Sequence, residues 1–271
     1  MSGSAAIDLE DFGDQGIAFP IEVYAADEAR GLKARYDAFQ TEAVARRGHE
    51  TFIKPHLIST WLDGVVRHPA ILDAVERVLG SDLLLWSADF FMKDAGAGRF
   101  VGWHQDAPLW FLEPTGNVVS VWLALTPSTV ESGAMRVIPG THRLGPLAHR
   151  STFDPDNILS DGHEVDWQVP AERAIDVVLQ PGQASLHHGD LIHGGMPNKA
   201  GYDRVGFVMR YICPDTVQTM APDSAMLVRG EDRFGNYLLE PRPESDFHPA
   251  AMAALQAALE RPSGFNDMAV R

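Results

Sequence analysis

His104-Gln105-Asp106, within Gly102-Trp103-His104-Gln105-Asp106-Ala107-Pro108, sets an imidazole and a carboxylate one residue apart. Side chains alternate along an extended strand, so these two point to the same side and can share a cation. A third donor stands far downstream, His193 in Leu191-Ile192-His193-Gly194-Gly195, and Arg204 follows it. Two histidines and one carboxylate are the facial set that holds non-haem Fe(II) and leaves half of its coordination sphere open for chemistry. Around a dication this set leaves one positive charge in excess. A chelating dianion such as 2-oxoglutarate is attracted to it, and one position stays free for O2. Arg204 is the candidate anchor for the far carboxylate, because a planar guanidinium grips a carboxylate through two parallel hydrogen bonds. Gly206 leaves room beside that ligand. Arg210, on the same face by strand parity, is a second anion-binding group or a rim salt bridge, and the reserve anchor should Arg204 be a surface charge.

His-x-Asp is a weak signal by itself in a chain with 11 histidines, and His188-Gly189-Asp190 repeats it. The two sites differ in their surroundings. The first has a distant histidine on a plausible later strand and an arginine beyond a turn. The second has His193 too near to come from a separate strand, and its distant partner, His248, has no comparable arginine. The first is preferred. His187 shares the face of His193 if the strand parity carries through the turn, and is then either a group orienting a ligand or a buried histidine satisfied by backbone.

The elements around these residues read as a helical block followed by short strands. Leu32, Tyr36, Phe39 and Val44 recur at near-helical spacing between Ala25 and Arg47. A second helix starts at Pro69, carries Ile71, Leu72, Val75, Val78 and Leu79 as its apolar stripe, and stops at Gly80. Leu83 to Lys93, Val118 to Leu125, Ala134 to Ile138, Asp176 to Gln180, Ala184 to His188 and Val205 to Ile212 are predicted strands, rich in β-branched and aromatic residues. A last helix is expected from Pro249 to about Glu260. Two long polar stretches, Thr141 to Ala174 and Asp215 to Asp246, are either functional covers or plain surface insertions. The expected fold class is mainly β with flanking helices (α+β). The expected organisation is one domain over 1–271: a mostly helical support to 82, a β core from 83 to 212, then a loop and helix.

Net charge is −15 over 271 residues. Such a balance argues against nucleic acid and anionic membrane as partners, both of which need a basic face. Cys213 is the only cysteine, so no intrachain disulfide is possible and a reducing compartment fits. The start lacks a basic region followed by an apolar run, and no stretch approaches the roughly 18 apolar residues of a membrane span. A cytoplasmic protein is expected.

From Leu83 to Ile212 the chain resembles the phytanoyl-CoA dioxygenase (PhyH-like) family of Fe(II)/2-oxoglutarate oxygenases. The resemblance rests on Trp103-His104-Gln105-Asp106, on Val121-Trp122-Leu123-Ala124-Leu125, on Glu131-Ser132-Gly133-Ala134-Met135-Arg136-Val137-Ile138-Pro139-Gly140-Thr141-His142, and on His193 through Arg204. It implies a double-stranded β-helix (jelly-roll, cupin-like) core, Fe(II) on His104, Asp106 and His193, 2-oxoglutarate held by Arg204, and O2 as oxidant. It also implies that Trp122 lines the cosubstrate, and that Gln105, inside the motif, touches it. One departure is visible: the family often has a serine two residues after the last histidine, where this chain has Gly195. Asp106 is present where related halogenases carry a small residue, so hydroxylation is expected and halogenation is not.

The implied reaction couples decarboxylation of 2-oxoglutarate to succinate and CO2 with hydroxylation of an unactivated C–H bond of a small-molecule substrate. Lys54, His56, Asp89, Phe91, Lys93, Trp110 and Phe111 are candidate substrate neighbours, with Arg210 beside them. Lys54, His56 and Lys93 together would suit a phosphonate or carboxylate. Trp103, Trp110 and Phe111 would instead line an apolar pocket for a natural-product intermediate. The rival reading is a metal-dependent cupin-like hydrolase or isomerase on the same three ligands, which has no need of Arg204.

Overall fold

The computed structural model describes residues 6–48 and 53–261. Its strands in chain order are β1 (Ile17–Glu22), β2 (Leu83–Lys93), β3 (Val101–His104), β4 (Leu112–Glu113), β5 (Val118–Ala124), β6 (Met135–Val137), β7 (His149–Ser151), β8 (His163–Val165), β9 (Ile175–Val177), β10 (Gln183–His188), β11 (His193–Gly195), β12 (Arg204–Ile212), β13 (Val217–Gln218), β14 (Asp223–Arg229) and β15 (Tyr237–Leu239). The longer helices are α1 (Leu32–Arg47), α2 (Thr60–Val66), α3 (Pro69–Leu79) and α4 (Pro249–Leu259). Seven strands form a major sheet in the order β1-β10-β5-β12-β2-β14-β15, and four form a minor sheet in the order β3-β11-β6-β9. Every pairing within these sheets is antiparallel except β14 with β15. This is a jelly-roll core.

Alternation along the strands divides the apolar residues between two layers. Leu85, Phe90, Val121, Leu123, Leu186, Phe207 and Met209 cover one face of the major sheet and pack against Leu32, Phe39, Leu62, Ile71, Val75 and Leu255 of the four helices. Trp122, Ala124 and Val208 on its other face meet Val137, Val177 and Leu191 of the minor-sheet side. The same alternation puts polar residues into that second layer. Arg204, Gly206, Val208 and Arg210 of β12 lie opposite Lys93, Phe91, Asp89 and Ser87 of β2. On the other side of β12, Gly206, Val208 and Arg210 lie opposite Ala124, Trp122 and Ser120 of β5, and Ser120 in turn faces His187 of β10. A buried row of charged and hydroxyl groups between two apolar sheets is costly unless those groups are paired or used.

Several elements differ from their expected form. The helix expected from Ala25 is split at Gly31 into a short turn, Ala26–Ala29, and α1. In α1 the buried stripe runs Leu32, Tyr36, Phe39, Gln40, Ala43, while Val44 is exposed. The strand β1 went unread because Pro20 interrupts its apolar pattern. Among the described residues it pairs through its length with β10 alone and meets only Ile7 on its other side, the edge position that proline tolerates. Neither polar stretch is a bare loop. Residues 141–174 fold into the β7–β8 hairpin and support β3: Asn157 Oδ1 accepts the Gly102 N–H at 3.1 Å, and a Cβ at Gly102 would meet Asn157 Nδ2 at 2.5 Å. Residues 215–246 supply β13, β14 and β15, and the last two extend the major sheet beyond β2. Among the described residues, no helix is long and apolar enough to cross a membrane.

Candidate active site

β3 and β11 are antiparallel neighbours with His104 opposite His193, and their imidazole centroids are 4.1 Å apart. In each ring Nδ1 lies against the carbonyl two residues earlier, Gly102 O at 2.9 Å and Leu191 O at 3.0 Å. Carbonyls only accept, so both rings carry their proton on Nδ1 and offer a bare Nε2. Both Nε2 atoms face Asp106 Oδ1, at 3.4 Å and 3.7 Å. Strand pleating does not bring Asp106 there. β3 ends at His104, and Asp106 has helical angles (φ −78°, ψ −57°) that open the turn Ala107–Trp110. The Asp106 and Ala107 N–H groups both donate to Gly189 O at 2.9 Å, which fixes that turn against the β10–β11 connection.

Among the described residues, His104, Asp106 and His193 are the three ligand-type side chains whose donor atoms lie within 4.8 Å of one another. Burial alone would raise the Asp106 carboxyl. Interaction with the imidazoles of His193, His104 and His187, which when protonated would pair with it, instead holds it well below the usual range. Burial, helped by the His104 charge, pushes His193 down to about 3. A neutral imidazole and an ionised carboxylate are the states in which these groups bind a divalent cation. Donor chemistry and tautomers therefore fit the metal that the three residues imply.

Arg204 lies in the same layer, 3% exposed, with its Cζ 5.0 Å from the Trp122 ring and 5.8 Å from the Phe91 ring. Its Nη1 donates to Gly133 O, while its buried Nε has no hydrogen-bond partner among the described residues. Gly206 is required here, since a Cβ at that position would stand 2.0 Å from Trp122 Cζ2. Lys93 reaches the same corner and donates to Met196 O at 2.6 Å and Gly133 O at 3.2 Å. A Cβ on Gly195 would lie 2.9 Å from Lys93 Nζ, so the ammonium occupies space beside the position where the family often has serine. Burial, and then the Arg204 charge, lowers Lys93 to about 7.

Other expected neighbours are placed elsewhere. Lys54, His56 and Lys93 do not form one anion site. Lys54 is buried against Ser224 O at 2.9 Å and against the Glu240 carboxylate, and His56 Nε2 lies 3.7 Å from the other Glu240 oxygen. The Lys54 charge is consumed by an internal acid, and burial lowers His56 so that it sits there as a neutral ring. Gln105 is turned away from Arg204 and Lys93 and is held by backbone: its Nε2 donates to Gly145 O and Asp190 O, and its Oε1 accepts from Leu147 N. Trp103, Trp110 and Phe111 do not share a pocket either. Trp103 packs outside the minor sheet, Trp110 is buried against Trp86, and Phe111 is exposed. Asp89 and Arg210 are joined by a buried ion pair, with the guanidinium 4.9 Å from the Trp110 ring. The competing His188-Gly189-Asp190 is knitted into local structure: His188 Nδ1 accepts the Asp190 N–H, and the Asp190 carboxylate accepts from Thr115. Two contributors gave no sequence signal. Ser120 Oγ donates to Asp106 Oδ2 at 3.3 Å, and His149 Nε2 accepts the Gln105 N–H at 3.0 Å.

Residues 14–206 match the family model described as phytanoyl-CoA dioxygenase (PhyH). The chain belongs to the PhyH family. Its class is therefore that of the Fe(II)- and 2-oxoglutarate-dependent dioxygenases, with O2 as the oxidant. Among PhyH-related proteins, the ectoine dioxygenase of Bordetella bronchiseptica (strain ATCC BAA-588 / NCTC 13252 / RB50) is 22% identical over 277 residues, spanning 93% of this chain and 84% of that protein. A probable alpha-ketoglutarate-dependent hypophosphite dioxygenase of Stutzerimonas stutzeri is 26% identical over 210 residues, 76% of this chain and 67% of its own. Among solved structures, the non-heme monooxygenase ThoJ in its apo form is 38% identical with a TM-score of 0.84, over 94% of this chain and 95% of that one. The ThoJ–Ni complex is 37% identical with a TM-score of 0.78, over 94% and 96%.

Proposed function

We propose that this enzyme hydroxylates an unactivated C–H bond of a small-molecule substrate, with iron on His104, Asp106 and His193 and 2-oxoglutarate anchored at its far carboxylate by Arg204 and Lys93. Bound iron supplies the O2 activation that 2-oxoglutarate decarboxylation drives. The observation that carries the reading is one buried layer with an anionic three-donor vertex at one end and two buried cations at the other. Trp122 stands two residues from Ser120 along the same face of β5 and flanks Arg204, so it forms the wall along which the cosubstrate lies. The nickel complex of ThoJ supports a divalent-metal site in this fold.

Asp89 and Arg210 are proposed to meet the substrate. Arg210 pairs across the sheet with Ser120, the residue hydrogen-bonded to Asp106, so the ion pair flanks the metal end and not the diacid end. One acceptor and one donor side by side suit a neutral or zwitterionic polar group better than a bare anion. Phe91 faces the Arg204 ring contacts and belongs with the cosubstrate wall.

The test is a screen with Fe(II), ascorbate, 2-oxoglutarate and candidate substrates, following succinate. Substrate-dependent succinate at one equivalent per hydroxylated product is expected. A metal-dependent product formed without 2-oxoglutarate, and undiminished in Arg204→Met, would instead favour a hydrolase or isomerase on the same ligands.

A further inference from the structure

We propose that His187, assisted by Ser120, is a positioning residue that holds Asp106 with only one oxygen available to the metal. This rests on the reading of His104, Asp106 and His193 as the ligands. The two carboxylate oxygens have different surroundings. Oδ1 faces both ligand imidazoles, at 3.4 Å and 3.7 Å. Oδ2 points the other way, to Ser120 Oγ at 3.3 Å and His187 Nε2 at 3.4 Å.

His187 sits on β10 between Ile17 of β1 and Ser120 of β5, 2% exposed. Packing alone is served there by an apolar side chain. An imidazole at that place buries two nitrogens, and its Nδ1 has no hydrogen-bond partner among the described residues. Such burial costs free energy without return unless the other nitrogen acts. That nitrogen faces a carboxylate oxygen, which only accepts, so the ring carries its proton on Nε2 and donates it to Asp106. His187 is also not a fourth ligand, since it lies outside the group of donor atoms within 4.8 Å.

The consequence is for coordination. A carboxylate with both oxygens free can chelate and occupy two positions. With Oδ2 engaged by two protein donors, Asp106 contributes one, and three positions remain for the cosubstrate and O2. The role differs from general support of the core because it depends on an N–H at one point in space.

The experiment titrates the apo protein with Co(II), chosen because its visible absorption reports coordination. His187→Leu is expected to bind Co(II) at least tenfold more weakly, with an altered spectrum. His187→Gln, which keeps an amide N–H at the position of Nε2, is expected to stay within about threefold of wild type. Ser120→Ala, a smaller excision, is expected to weaken binding about threefold or more, and decides the matter if His187→Leu does not fold. Wild-type affinity and spectrum in both His187→Leu and Ser120→Ala would overturn the proposal, as would a His187→Gln variant no better than His187→Leu. His104→Ala separates the two levels. If it too binds Co(II) normally, the ligand assignment itself fails; if it loses Co(II) while His187→Leu does not, only the positioning role fails.

Discussion

Replacing Arg204 with Met removes the cation and its fork while keeping an unbranched side chain of similar reach. Arg204 is 3% exposed between Trp122 and Phe91, and burial lowers it only to about 10, so it is cationic at neutral pH. A hydrogen bond to a charged group contributes about 1.5–3 kcal/mol. Two parallel bonds, reduced because Lys93 remains nearby to hold part of the charge, give about 3–4 kcal/mol for the far carboxylate of 2-oxoglutarate. At about 1.4 kcal/mol per factor of ten, this is roughly a 100- to 1,000-fold loss of 2-oxoglutarate affinity. Arg204→Lys restores the charge without the fork and should fall between the two. The assay is succinate release against 2-oxoglutarate concentration, with metal affinity measured separately. Metal binding should stay within about threefold, because no atom of the metal set contacts Arg204. A 2-oxoglutarate KM within threefold of wild type in Arg204→Met would refute the reasoning, and so would equal losses of metal and cosubstrate.

Lys93, lowered to about 7 by burial and by Arg204, is cationic below that pH and neutral above it. A dianion binds better to the cation, so 2-oxoglutarate affinity should fall roughly tenfold between pH 7 and 8.5, and Lys93→Met should flatten the profile in calorimetric titrations. Glu240 is buried, and although burial raises it, Lys54 and His56 bring it from 4.5 to about 2. A carboxyl lowered in the folded state stabilises the protein above pH 4.5 and loses that contribution as pH falls towards 2. Glu240→Gln should therefore cost on the order of 3 kcal/mol at pH 7, with a gap to wild type that closes in acid, as read by denaturant unfolding. Gly206→Ala puts a methyl 2.0 Å from Trp122 Cζ2 and must displace the ring. Its overpacking costs about 1–3 kcal/mol, and a rise in the 2-oxoglutarate KM, with metal affinity kept, is the expected signature.

The metal set is legible because its chemistry is carried by residue type and its third member lies near a strand-like run, yet strand alternation explains only part of how it converges. Pleating accounts for His104, whereas Asp106 is carried to the same side by the turn that Gly189 O anchors. Strand β2 appears with the expected limits because its eleven residues, eight of them apolar or aromatic, run without a glycine or proline to break them. Strand β1 was hidden by Pro20, and β14 by the polar residues around it. Lys54 and His56 looked like free cations beside Lys93, since the acid that neutralises them, Glu240, is 186 residues from Lys54 in sequence. Gln105 sat in the motif but on the opposite side of the chain from its neighbours, where three backbone groups use its amide. Ser120 was invisible because a serine on a central strand has no pattern of its own. Only the register of β5 with β10 and β12 brings it to Asp106.

Anomalous diffraction at the iron edge, from crystals of this protein loaded anaerobically with Fe(II), tests the central claim most directly. One peak is predicted at roughly 2.0–2.3 Å from His104 Nε2, His193 Nε2 and Asp106 Oδ1, the range for imidazole and carboxylate ligands. Iron bound elsewhere, or no peak with the His193 imidazole turned out of the layer, would contradict the account.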